Sequence, residues 1–188
     1  MYWHKRPTNE FNPKKRLGYI HVYTGDGKGK TTAALGVALR AAGAKMNVLV
    51  IQFLKGHKDF GELLAHDRLK PYVDIVQFGT PEFTNLHDPS AMDVYLANQG
   101  LDYARRAMVM KRPDILILDE VNTAMHHGLI KTTDMLDFLD NKHQETEVIL
   151  TGRNAPKELL NAADLITVMT TTKSPYGEDF IPRFGVEH

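Results

Sequence analysis

The stretch Tyr23-Thr24-Gly25-Asp26-Gly27-Lys28-Gly29-Lys30-Thr31-Thr32 gathers three glycines, two lysines and a Thr-Thr pair in one place. Those residue types in that order suit the capture of a phosphate chain. Glycines let backbone N–H groups turn toward an anion with no Cβ in the way. Lys30 adds a full positive charge, Lys28 offers a second contact, and the Thr31 hydroxyl can reach a magnesium ion. Such a loop needs a strand before it and a helix behind it, because the helix N-terminus adds partial positive charge. Both are readable. Gly18–Tyr23 is an apolar-rich run with strand character. Thr31–Ala42 is mostly helix formers, with Gly43 placed to end the helix. The usual template, Gly-x-x-x-x-Gly-Lys-Thr, would put its first glycine at Thr24, and here Gly25 comes one place late.

The second chemical signal is Ile115-Leu116-Ile117-Leu118-Asp119-Glu120, an apolar run closing in two acids. An acid at the end of such a strand sits beside a phosphate loop and helps hold magnesium through hard oxygen ligands. Asp119 and Glu120 compete for that role. Arg153 follows another predicted strand at the same edge and can pair with a phosphate bidentately. Arg40 falls ten residues into the first helix, where position favours packing or surface. His126-His127 read as ordinary polar or packing residues, since adjacent helical residues do not share a face. These residues predict a magnesium–nucleoside triphosphate site and leave the reaction open between a kinase, an ATPase and a nucleotide switch.

The elements that must position these groups follow from pattern. Met46–Leu54 is nearly continuous apolar sequence, as in a strand buried on both faces, and Val73–Phe78 is a third strand. Phe60–Leu69 can form a short helix. Asp88-Pro89 reads as a helix start, with Val94, Ala97, Leu101, Ala104 and Met108 as one buried stripe and Arg112-Pro113 as its end. Gly100 costs that helix ~1 kcal/mol relative to Ala. A short helix follows through Ala124, and Thr132 or Thr133 caps another. Glu147–Leu150 and Leu165–Met169 are further strands, separated by a short helix that Asn154 and Pro156 open. About six strands alternating with helices predict an α/β domain of the phosphate-loop NTPase type with a mainly parallel sheet. It spans 18–188, with a basic arm at 1–17 that carries Trp3 and an irregular tail after Thr170.

The 188 residues suffice for one domain, and the formal net charge of zero points to no bulk electrostatic partner such as nucleic acid. The chain has no cysteine, which excludes disulfides and thiolate metal sites. No apolar run approaches the ~18 residues of a membrane span, and the N-terminus lacks a secretory core, so a cytoplasmic protein is expected.

Several pieces together resemble one family. These are Thr24–Ala34, Val50-Ile51-Gln52-Phe53-Leu54-Lys55-Gly56, Leu118-Asp119-Glu120, Thr151-Gly152-Arg153, Ala162-Ala163-Asp164-Leu165 and the closing Phe184-Gly185-Val186-Glu187. They are similar to the phosphate-loop-type ATP:corrinoid adenosyltransferases, which share the displaced first glycine. The resemblance runs from about Gly18 to the end. It implies that cobalt(I) of a reduced corrinoid (cobalamin or cobyrinic acid a,c-diamide) attacks the 5′ carbon of ATP and expels triphosphate. It implies that Thr31 and Glu120 hold magnesium, that Lys30 and Arg153 contact phosphate, that Arg40 matches a family arginine, and that Phe83-Thr84 belong to a segment lying against the corrin. It also implies a homodimer and an electron-donating reductase. Two positions depart from the family: Asn85 stands where a Trp is expected, and Ser174 follows Lys173 where a His is frequent. The departures keep a non-catalytic carrier or sensor of ATP or adenosylated corrinoid as an alternative, and Trp3 is a candidate to replace the missing Trp.

Overall fold

A computed structural model describes residues 17–82, 84–175, 181 and 183–187. The expectations for Trp3 and the arm up to residue 16, and for Phe83, lie outside the described residues. The chain runs β1 Ile20–Thr24, α1 Lys30–Gly43, β2 Val48–Phe53, α2 Gly61–Leu69, β3 Val73–Phe78, α3 Ala91–Met110, β4 Ile115–Asp119, α4 Val121–His126, α5 Thr132–Asp140, β5 Glu147–Thr151, α6 Lys157–Ala162 and β6 Leu165–Val168. The strands form one six-stranded sheet in the order β3-β2-β4-β5-β1-β6. Every pairing is parallel. This is the α/β phosphate-loop arrangement that the alternating pattern predicts.

Both faces of the sheet are covered, which explains why its central strands lack polar alternation. In β2, Leu49, Ile51 and Phe53 join one core with residues of α3, α4 and α5, whereas Val48 and Val50 join a second core with α1. The α1 stripe is built from Ala34, Ala38 and Ala41, small residues that bring the helix backbone close to the sheet. Parallel strands place all their carboxyl ends on one rim. The register then sets neighbours on that rim: Gln52 of β2 pairs with Asp119 of β4, and Thr151 of β5 with Tyr23 of β1.

Three local expectations are corrected. Helix α3 starts at Ala91, capped by Ser90 rather than Asp88, because Ser90 and Asp93 form a reciprocal capping box. Val94 is 37% exposed and lies off the buried stripe. The N-cap residue of α5 is Lys131, and no side chain caps the helix, so neither Thr132 nor Thr133 does. Gly43 ends α1 as expected, as its last helical residue, and the left-handed residue that follows is Lys45.

Candidate functional site

The loop between β1 and α1 wraps the N-terminus of α1. Gly25 has φ +96, and a Cβ there would run into the Met169 carbonyl. The loop is therefore pressed against the chain leaving β6, and the Gly27 N–H donates to the Met169 carbonyl at 2.8 Å. Gly29 occupies the N-cap of α1, no side chain caps the helix, and no acid stands in its first turn. A helix start left in this state attracts an anion through its free amides and dipole.

Lys30 is 7% exposed. Its ammonium donates to the Gly25 and Gly27 carbonyls, both at 2.7 Å, so it is held over the loop it belongs to. Burial lowers its pKa below the ordinary lysine value, with Glu120 opposing and Arg153 reinforcing. Thr31 donates its hydroxyl to Asp119 Oδ1 at 2.7 Å, which leaves the hydroxyl lone pairs open to a cation.

Asp119 and Glu120 occupy different environments. Asp119 is 1% exposed, and its oxygens are saturated. Oδ1 accepts from Thr31 and from Thr151 at 2.7 Å; Oδ2 accepts from Lys55 at 2.8 Å and from Gln52 at 3.3 Å. Burial alone would raise its pKa, but the Lys55 charge and these hydrogen bonds hold it below the ordinary carboxylate value. Lys55 answers in kind: burial is outweighed by Asp119, then Glu62, and its pKa is raised. Glu120 instead adopts φ +62 at the start of α4 and faces the open space beyond. Its Oε2 accepts from Thr123 at 2.7 Å, and the same hydroxyl accepts from the Arg153 N–H at 3.0 Å.

That open space is a cleft of about 1180 Å³. It exceeds the ~300–1,000 Å³ of a pocket for one small ligand. Asp26, Gly27, Lys28, Gly29, Lys30, Thr31, Thr32, Glu120 and Arg153 line one side, and Thr80, Glu82, Thr84 and Leu86 line another. Thr24 is 7% exposed, and its hydroxyl accepts from the Ala155 N–H at 3.3 Å, beneath the loop. Arg40 stands exposed in the last turn of α1, about 15 Å along the helix from Lys30 by helical rise. Asn85 faces a smaller neighbouring cleft that shares Thr80, Glu82 and Thr84 with the main one. Lys28 reaches the tail, donating to the Val186 carbonyl at 3.2 Å and to Glu187 Oε1 at 3.0 Å. The rings of His126 and His127 meet edge to face at 4.9 Å. Among the described residues, no group of three or more His, Cys, Asp or Glu side chains could hold a metal ion.

Sequence reasoning missed Gln52, Glu62, Thr123 and Asp93. The signal for Gln52 was its place inside an otherwise apolar strand; it is fully buried and donates to Glu62 at 2.8 Å. The others depend on contacts between distant segments.

No described helix is long and apolar enough to cross a membrane. The family model for ATP:corrinoid adenosyltransferase BtuR/CobO/CobP matches residues 16–188. An uncharacterised protein of Nostoc sp. is 36% identical over 93% of this chain, which spans 49% of that protein. A corrinoid adenosyltransferase of Sinorhizobium sp. is 36% identical over 90% of this chain and 80% of its own length. One of Escherichia coli K12 is 29% identical over 91% and 86%. The match to this family model over residues 16–188, on a chain whose variant phosphate loop faces the cleft, places this protein in the ATP:corrinoid adenosyltransferase family.

Proposed function

We propose that this chain transfers the 5′-deoxyadenosyl group of ATP to cobalt(I) of a reduced corrinoid and releases triphosphate. Cobalt supplies both electrons of the new cobalt–carbon bond. The C5′–O bond breaks, and its electron pair leaves on the triphosphate. No general base is required. The observation that carries the reading is the shared cleft: the phosphate loop lines it together with Thr80, Glu82, Thr84 and Leu86. Lys30, Arg153 and the free amides of α1 meet the charge that grows on the departing triphosphate. Lys28 joins them when the tail releases it.

Magnesium fits the hard-oxygen set present, and Thr31 and Glu120 would hold it, with the rest of its shell from water and phosphate. Bound there, it would supply Lewis-acid stabilisation of the triphosphate leaving group. Asp119, with every oxygen already engaged, orients the Thr31 hydroxyl from beneath. Thr84 and Asn85, with Phe83 between Thr84 and Glu82 in sequence, are assigned to the corrinoid side. A homodimer, a separate reductase and a cytoplasmic location complete the proposal. The exposed apolar side chains Leu165, Ile166 and Val168 on the edge strand β6 support pairing with a second copy.

The test is one anaerobic reaction of the protein with magnesium-ATP and chemically reduced corrinoid, followed by visible spectrum and phosphate chromatography. A light-sensitive alkylcorrinoid with one triphosphate per turnover is expected. ADP and phosphate without a cobalt–carbon bond would make the protein an ordinary ATPase. Binding of both ligands without product would make it a carrier or sensor.

A further inference from the structure

The wall of the cleft that carries Thr80, Glu82, Thr84 and Leu86 has none of its described residues in a helix or strand, and the structure shows what holds it. It leaves β3 through Gly79. A Cβ on Gly79 would lie 2.6 Å from the Leu54 carbonyl carbon, and one on Gly56 would lie 2.5 Å from the carbonyl oxygens of Gly79 and Thr80. The exits of β2 and β3 are thus in backbone contact, which fixes the near end of the wall. Its far part is held by Asp93, in the first turn of α3. Asp93 is 8% exposed, and its two oxygens divide their work. Oδ2 accepts from the Ser90 N–H at 3.0 Å and the Ser90 hydroxyl at 2.6 Å, closing the helix cap. Oδ1 accepts from the Thr84 hydroxyl at 3.1 Å and shares the Thr80 hydroxyl, at 3.3 Å, with the Glu82 carbonyl, at 3.1 Å. The capping box itself needs only the Ser90 N–H on Oδ2 and the Asp93 N–H donating to Ser90 Oγ at 3.2 Å. The Oδ1 contacts tie together two residues four apart in the wall, and both line the cleft.

We propose that Asp93 is a positioning residue for the second substrate: its Oδ1, by fixing Thr80 and Thr84, sets the surface against which the corrinoid lies. The inference rests on the adenosyltransferase reading above. Asp93 lines only the smaller side cleft and is not among the residues facing the phosphate loop, so it acts through the threonines. Its hydrogen bonds carry a full charge, and each is stronger than a neutral one.

Three variants separate the cap from the clamp. Asp93→Asn removes the charge that holds both threonines. Thr80→Val removes the donor shared by Asp93 Oδ1 and the Glu82 carbonyl and leaves the cap intact. Ser90→Ala weakens the cap and leaves Oδ1 with its threonines. KM for corrinoid and for ATP are measured separately, with inorganic triphosphate affinity and corrinoid binding by spectral titration beside them. Asp93→Asn is expected to raise corrinoid KM about tenfold, the scale of one charge-assisted hydrogen bond, with ATP KM and triphosphate affinity unchanged. Thr80→Val is expected to move corrinoid KM the same way by a smaller factor, and Ser90→Ala to lower thermal stability alone. Equal shifts in both KM values, or Ser90→Ala reproducing Asp93→Asn, would reduce Asp93 to a helix cap. Should Asp93→Asn fail to fold, an unchanged corrinoid KM in Thr80→Val overturns the inference. A wild-type protein that neither binds nor alkylates corrinoid overturns the proposed function and this inference together. A wild-type protein that turns over while the clamp variants match it overturns this inference alone.

Discussion

At the scale of single residues, the decisive arrangement is the pair Lys55–Asp119 under the phosphate loop. Asp119 carries a charge with 1% exposure, and Lys55 is 17% exposed at 2.8 Å. Such a pair is a poor source of net stability, yet breaking it is costly because the survivor stays buried. Lys55→Met is therefore expected to lower unfolding free energy by about 3–5 kcal/mol, read from urea denaturation at neutral pH. The pH dependence has two edges. Asp119 is held below its ordinary 3.8, so its contribution is fully present above that pH and is lost as pH falls through its native value. Lys55 is held above its ordinary 10.5, so its contribution is fully present below that pH and is lost as pH rises through its native value. The gap between wild type and Lys55→Met should be widest between those edges and narrow beyond each; a gap constant from acid to base would contradict the pairing. Lys30 makes a different prediction. Its ammonium bonds only loop carbonyls, so Lys30→Met should leave the fold in place and lower kcat/KM about 10²–10³-fold, the scale of losing one preorganised electrostatic contact.

At the scale of elements, helix α3 shows what pattern reading reaches and where it stops. Ala97, Leu101, Ala104 and Met108 are buried as their three- and four-residue spacing requires. The start was misplaced because Asp88 and Ser90 are both capping types. The choice between them is made by Asp93, whose carboxylate also binds Thr80 and Thr84 from another part of the chain. Gly100 illustrates a similar limit. By helix propensity alone, Gly100→Ala should gain ~1 kcal/mol. In place, a Cβ would stand 2.7 Å from Cε1 of Phe53 and 3.2 Å from Cβ of Phe78. Phe53 is fully buried, so its ring has little room to yield. Gly100→Ala is expected to destabilise by about 1–3 kcal/mol through overpacking, and a raised denaturation midpoint would show that the ring moves freely. The strands were legible for the opposite reason. β2, β4 and β5 are covered on both faces, so their apolar runs needed no periodicity to be found.

At the scale of the whole molecule, a parallel sheet brings the exits of β1, β2, β4 and β5 to one rim, and that topology assembles the site. Lys30, Thr31, Asp119, Glu120 and Arg153 were legible because each sits at or just beyond a strand end, where such sheets carry their chemistry. The contacts that tune them were not, since they join segments far apart: Lys55 to Asp119 across 64 residues and Lys28 to Glu187 across 159. The last of these joins two residues that line the cleft. Gly185, Val186 and Glu187 line the cleft, and the Glu187 carboxylate takes both Lys28 at 3.0 Å and the Arg183 guanidinium at 2.9 Å. A triphosphate on the loop competes with that carboxylate for the same cation. Lys28 is 41% exposed, so solvent screens the pair and its worth is about 1 kcal/mol or less. Glu187→Ala should accordingly tighten inorganic triphosphate binding by up to about fivefold, without changing thermal stability. Calorimetry at low and high salt checks it. The gain should shrink as salt rises, because screening weakens the competing pair. Weaker triphosphate binding in the variant would mean that the tail carboxylate helps to order the loop instead of opposing its ligand.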